Sequence, residues 1–90
     1  MKTHFNFWTD PGHGWIEVTA ADMNAVDLAP EAISGYSYVK GNTFYLEEDC
    51  DASKFIAAYQ AKIGTAPQFI NKYQAVTFIR TLPRLFEVRR

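Results

Sequence analysis

Few residues of this 90-residue chain are of types that do chemistry, and their spacing narrows what they can do. His13 stands between two glycines in the run Asp10-Pro11-Gly12-His13-Gly14, flanked by Trp8 and Trp15. A loop imidazole near a carboxylate can serve as a general base or a metal ligand. Zinc takes three or four ligands, however, and only His4, Cys50 and carboxylates remain to complete a set, with no C-x-x-C or H-x-x-x-H spacing. No cofactor and no tightly bound metal are expected. Cys50 with His13 would make a nucleophile and its base. Glu47, Glu48, Asp49 and Asp51 crowd that cysteine, and like charge disfavours a thiolate and raises its pKa. A calcium loop counted from Asp49 fails at position 6, where Lys54 replaces the required glycine. Phosphate-cradling glycine loops, G-x-S-x-G and paired catalytic carboxylate motifs do not occur. Binding, not catalysis, is the expectation, and no catalytic residue is assigned.

Local structure must position these groups. Thr3–Trp8 reads as a strand, with Phe5 and Phe7 on one face and His4, Asn6 and Trp8 on the other. The chain turns at 10–14, where Pro11 presets one angle and glycines permit positive φ; Trp15–Val18 returns as a second strand. Thr19 with an acid three residues on opens a short helix in capping-box form. Pro30 and Gly35 break the segment after that helix. Tyr36–Lys40 and Thr43–Glu48 flank Gly41-Asn42, a two-residue hairpin turn. Setting Lys40 opposite Thr43 puts Val39 opposite Phe44 and Tyr38 opposite Tyr45. Val39, Phe44 and Leu46 then share one face, and Tyr36, Tyr38 and Tyr45 the other. Ala52–Ile63 is a second helix, capped by Asp51 and closed by Gly64, with Phe55, Ile56, Tyr59 and Ile63 on its buried stripe. Phe69–Gln74 fits strand or helix, and Ala75–Leu82 looks helical as far as Pro83. The expected architecture is one α+β domain over residues 1–90: a small antiparallel sheet of two β-hairpins with helices on one face, in the order ββαββα plus a C-terminal helical segment.

Composition agrees with a dense core. The chain is 48% hydrophobic with seven Phe, five Tyr and two Trp, which excludes disorder, and a lone cysteine excludes a disulfide scaffold. No apolar run approaches the roughly 18–20 residues that span a bilayer. The N-terminus has no signal-peptide apolar stretch, so an intracellular soluble domain is expected. The net charge of −1 conceals an asymmetry: residues 1–53 hold two basic and nine acidic residues, and residues 54–90 seven basic and one acidic. A nucleic-acid module could use Arg80, Arg84, Arg89 and Arg90, although the overall charge weakens that option. Alternatively the halves interleave and their charges pair across the domain. The tyrosine face of Tyr36, Tyr38 and Tyr45, with the acidic edge Glu47, Glu48 and Asp49, forms the expected partner-binding surface. The competing expectation is that the C-terminal segment covers these tyrosines and makes them a second core layer.

The strings Thr9-Asp-Pro-Gly-His-Gly-Trp15-Ile-Glu-Val18, Tyr36-Ser-Tyr38 and Tyr45-Leu-Glu-Glu-Asp-Cys-Asp51 resemble a family of small uncharacterised proteins encoded by bacteriophages and other bacterial mobile elements. The resemblance spans roughly Phe5 to Arg84 and carries over no catalytic residue. It implies a bacterial cytoplasmic setting. By analogy with small phage accessory proteins, it also implies binding to a host protein or nucleoprotein complex, inhibition of host defence being one such role.

Overall fold

The computed structural model describes residues 2–88. β1 (His4–Thr9) and β2 (Gly14–Thr19) form the first hairpin, with Trp8 opposite Trp15. β3 (Tyr38–Lys40) and β4 (Thr43–Glu47) form the second, in the expected register: Tyr38 faces Tyr45 and Val39 faces Phe44. Gly41 occupies the first turn position at φ 60°, as a II′ turn requires. Antiparallel pairing of β2 with β4 joins the hairpins. The α+β class is therefore as expected, with one correction to the sheet. Residues 68–73 form β5 (Gln68–Tyr73), which pairs in parallel with β1, so the five-stranded sheet is mixed, in the order β3-β4-β2-β1-β5. The cause is α2 (Ala52–Ile63), which carries the chain from β4 across the sheet and returns it in the same direction.

The short helix α1 (Ala20–Ala25) opens with the capping box: the Asp22 N–H donates to the Thr19 hydroxyl (3.1 Å) and the Thr19 N–H to the Asp22 carboxylate (2.9 Å). Gly64 closes α2 in the left-handed conformation, φ 96°. The expected helix over 75–82 shrinks to a 3-10 turn, Phe78–Thr81. Thr77 stays extended, and its buried hydroxyl donates to Asp10 (3.3 Å). The brief α3 (Leu85–Val88) comes after it.

Each face of the sheet carries its own core. On one, Phe5, Ile16, Val18, Phe44 and Leu46 pack against Met23 of α1 and Phe55 and Tyr59 of α2. On the other, Trp15, Tyr38 and Tyr45 lie under Phe78, Ile79 and Leu82. The Phe78 ring stands edge-on to Trp8 at 5.0 Å and to Tyr45 at 5.5 Å. The expectation of an open tyrosine face is thereby corrected. Tyr38 and Tyr45 are 6% and 5% exposed, and only Tyr36, outside β3, remains open at 58%. Alternation along a strand sorts side chains by face, but the apolar side of segment 78–82 has nowhere to bury except on that face.

Burial, together with the Glu17 carboxylate, pushes the Tyr45 phenol up to about 12. Its neutral form stabilises the fold below the ordinary tyrosine pKa, and that contribution is lost as pH rises through the shifted value. In an alkaline absorbance titration, one tyrosine step should come near pH 12 and vanish in Tyr45→Phe. Phenolate formation complete by about pH 11 would contradict this.

Candidate functional site

The loop between β1 and β2 does not use positive φ at Gly12 or Gly14, contrary to expectation; the positive-φ glycines are Gly41 and Gly64. Asp10 holds the turn instead. Its carboxylate accepts the backbone N–H groups of Gly12 and His13, each at 2.9 Å, and its own N–H donates to the His13 carbonyl (2.9 Å). The same carboxylate takes the Arg80 guanidinium in a fork, Nε–Oδ2 2.5 Å and Nη2–Oδ1 3.1 Å. The Arg80 bond, with the two backbone donors, outweighs burial and holds the Asp10 carboxyl well below the usual range.

That clamp sets one side of a cleft of about 290 Å³. The cationic wall is built on aromatic rings: Arg80 Cζ lies 5.3 Å from the Trp15 ring centre, and Arg84 Cζ lies 5.0 Å from Tyr38 and 6.0 Å from Tyr36. His13, Glu47 and Cys50 also line the cleft. His13 Nδ1 sits 3.5 Å from the Glu47 carboxylate and 4.0 Å from that of Asp49. Gly14 ties the loops together, its carbonyl accepting the Glu48 N–H (3.0 Å). The Trp15 indole N–H is buried and has no hydrogen-bond acceptor among the described residues.

Ligand atoms of His13, Glu48 and Asp49 lie within 4.8 Å of one another, so among the described residues these could hold a metal. Bonds of about 2.0–2.2 Å would require the outermost atoms of that set to draw closer. Cys50 is held as a thiol. A hydrogen bond with Glu47 raises its pKa first, followed by burial and the charges of Glu47, Asp51 and Asp49. Although His13 and Cys50 line one cleft, the arrangement disfavours a thiolate nucleophile.

Asp51 does not cap α2 as expected; its side chain makes no cap bond. The fully buried carboxylate turns back, accepting the Ser34 N–H (2.8 Å), the Ser34 hydroxyl (2.7 Å), the Ser37 hydroxyl and Lys54 Nζ (3.1 Å). The Ser37 hydroxyl oxygen in turn accepts the Glu47 N–H (3.1 Å), so Asp51 sets both the entry to β3 and the acidic turn.

The acidic and basic halves interleave, through Asp10–Arg80, Asp51–Lys54 and Asp27–Lys62. Of the nucleic-acid candidates, Arg80 is bound by Asp10 and Arg84 lies across Tyr38 and Tyr36, while Arg89 and Arg90 lie outside the described residues. Of the partner-binding candidates, Tyr36, Glu48 and Asp49 are exposed and Glu47 half-buried, whereas Tyr38 and Tyr45 are buried. Sequence reasoning missed the Asp10–Arg80 clamp and the Trp15 donor, for which no local pattern exists. No protein-family model matches the chain, and comparison with curated proteins and solved structures finds no match.

Proposed function

We propose that the protein is a non-enzymatic binding domain, a phage or mobile-element accessory protein that engages a host protein or nucleoprotein complex through the acidic rim of this cleft. Inhibition of a host defence is one role such binding serves. One observation carries the proposal: among the described residues, neither Glu48 nor Asp49 has a lysine or arginine within ion-pair distance, and the Asp49 side chain is 73% exposed. Carboxylates in this state, beside the imidazole of His13, suit a lysine or arginine of a partner, whose charge they take. The partner surface is thus a basic protein segment.

The second reading is a nucleic-acid module on Arg80, Arg84, Arg89 and Arg90. Arg84 favours it, since its guanidinium faces two tyrosine rings with no carboxylate partner among the described residues. The test is binding of a labelled arginine-rich peptide. Glu48→Lys/Asp49→Lys should weaken it by about tenfold or more, and rising salt should weaken the wild type. Equal binding by both proteins, or a preference for duplex DNA with steep salt dependence, would favour the second reading.

A further inference from the structure

The two edges of the sheet are finished differently. At the β3 edge the chain straps itself on: the Val39 N–H donates to the Pro83 carbonyl (3.1 Å), the Leu85 N–H to Ser37 (2.7 Å) and the Phe86 N–H to Gly35 (3.1 Å). Gly35 permits this approach, because a Cβ there would lie 2.6 Å from the Cβ of Phe86. Among the described residues, the β5 edge has no such strap. All six of its residues are exposed, Phe69, Ile70 and Tyr73 among them, with Val76 just beyond.

The direction of its bonding groups is fixed. The Gln68 N–H donates to the Thr3 carbonyl (2.9 Å) and the Gln74 N–H to Thr9 (3.0 Å). Backbone groups alternate along a strand, so 68, 70, 72 and 74 face β1, and the N–H and C=O groups of Phe69, Asn71 and Tyr73 point away from the sheet. Such a row is a template for another strand.

We infer that the occupant is a second copy of this chain, its β5 antiparallel to the first and centred on Asn71. A two-fold axis there sets Asn71 opposite Asn71 of the second copy, and Phe69 and Tyr73 opposite Tyr73 and Phe69. Every outward-pointing residue then meets an outward-pointing residue, and each pair exchanges both bonds. Centring on Ile70 would bring Pro67, which has no N–H, opposite Tyr73. Centring between Ile70 and Asn71 would set outward groups against inward ones. The side chains agree with the Asn71 register. Phe69, already against Phe7 at 5.9 Å, gains Tyr73 of the second copy as an aromatic cross-strand pair. Charge also selects it: Lys72, the one charged residue of β5, makes no ion pair among the described residues, and here it meets Ile70 rather than Lys72 of the second copy.

Sedimentation of the whole chain between about 1 and 100 µM tests this. The mass should rise with concentration from 10.3 kDa to twice that value. Asn71→Pro removes only an outward N–H, so it should stay monomeric with a near-wild-type melting temperature. Ile70→Glu places a carboxylate opposite each Lys72 and should tighten the dimer severalfold, whereas Ile70→Lys should weaken it by about tenfold. If Asn71→Pro fails to fold, the opposite responses of the two Ile70 variants decide. A monomer throughout the range, a dimer indifferent to all three changes, or Ile70 variants acting with reversed sign would overturn the inference.

Discussion

Phe55→Ala should cost about 3–5 kcal/mol, a large share of the stability of a domain this small. Phe55 is fully buried in α2, and its ring meets Phe5 edge-on at 5.1 Å and lies 6.1 Å from Tyr59. Both neighbours are themselves buried, Phe5 on the strand that pairs with β2 and β5, so truncation leaves a void at the seam between helix and sheet. A sheet fixed by pairing on both sides cannot collapse to fill it. Chemical denaturation of the variant reads the loss directly. A midpoint equal to the wild type would mean that α2 does not pack on this face.

Asp51→Ala should be comparably severe, also about 3–5 kcal/mol, by a different mechanism. The substitution strands the Ser34 N–H and the hydroxyls of Ser34 and Ser37, all of which end on one carboxylate, and leaves Lys54 without its counter-charge. Burial opposes the ionised form of Asp51, but the hydrogen bonds from Ser37, Ser34 and Lys54 outweigh it and lower the pKa. A carboxylate with a depressed folded pKa contributes stability above its unfolded value, near 4, and loses it as pH falls through the folded value. Wild-type stability should therefore decline as pH falls below about 4, and Asp51→Asn should show a shallower decline. Parallel acid profiles for the two proteins would remove Asp51 from that role.

The features legible in the sequence are those written by neighbours along the chain. The β3–β4 register follows from a two-residue turn, and the α1 capping box from Thr19 and Asp22. The missed features depend on distant chain. Asp10 and Arg80 are 70 residues apart, and no spacing rule brings them together. Asp51 stands where a capping residue should, but two serines upstream compete for its oxygens more favourably than the first turn of α2 does. β5 has the same apolar content as a short helix, and only the α2 crossover makes it a strand beside β1. Of the acidic run Glu47–Asp51, Glu48 and Asp49 were legible as exposed, because exposed charges need no partner to be recognised, whereas the burial of Asp51 was not; nor was that of Tyr38 and Tyr45, because alternation names a face without saying what covers it.

The most direct measurement is an amide-resolved NMR titration with an arginine-rich peptide. If the cleft rim is the binding surface, shifts concentrate on His13, Glu48, Asp49 and Tyr36, and the Trp15 indole N–H, buried at the cleft without an acceptor among the described residues, moves with them. Glu48→Lys/Asp49→Lys abolishes the pattern while leaving the rest of the spectrum in place. Shifts scattered over the surface, or confined to Arg84 and appearing only with nucleic acid, would contradict it.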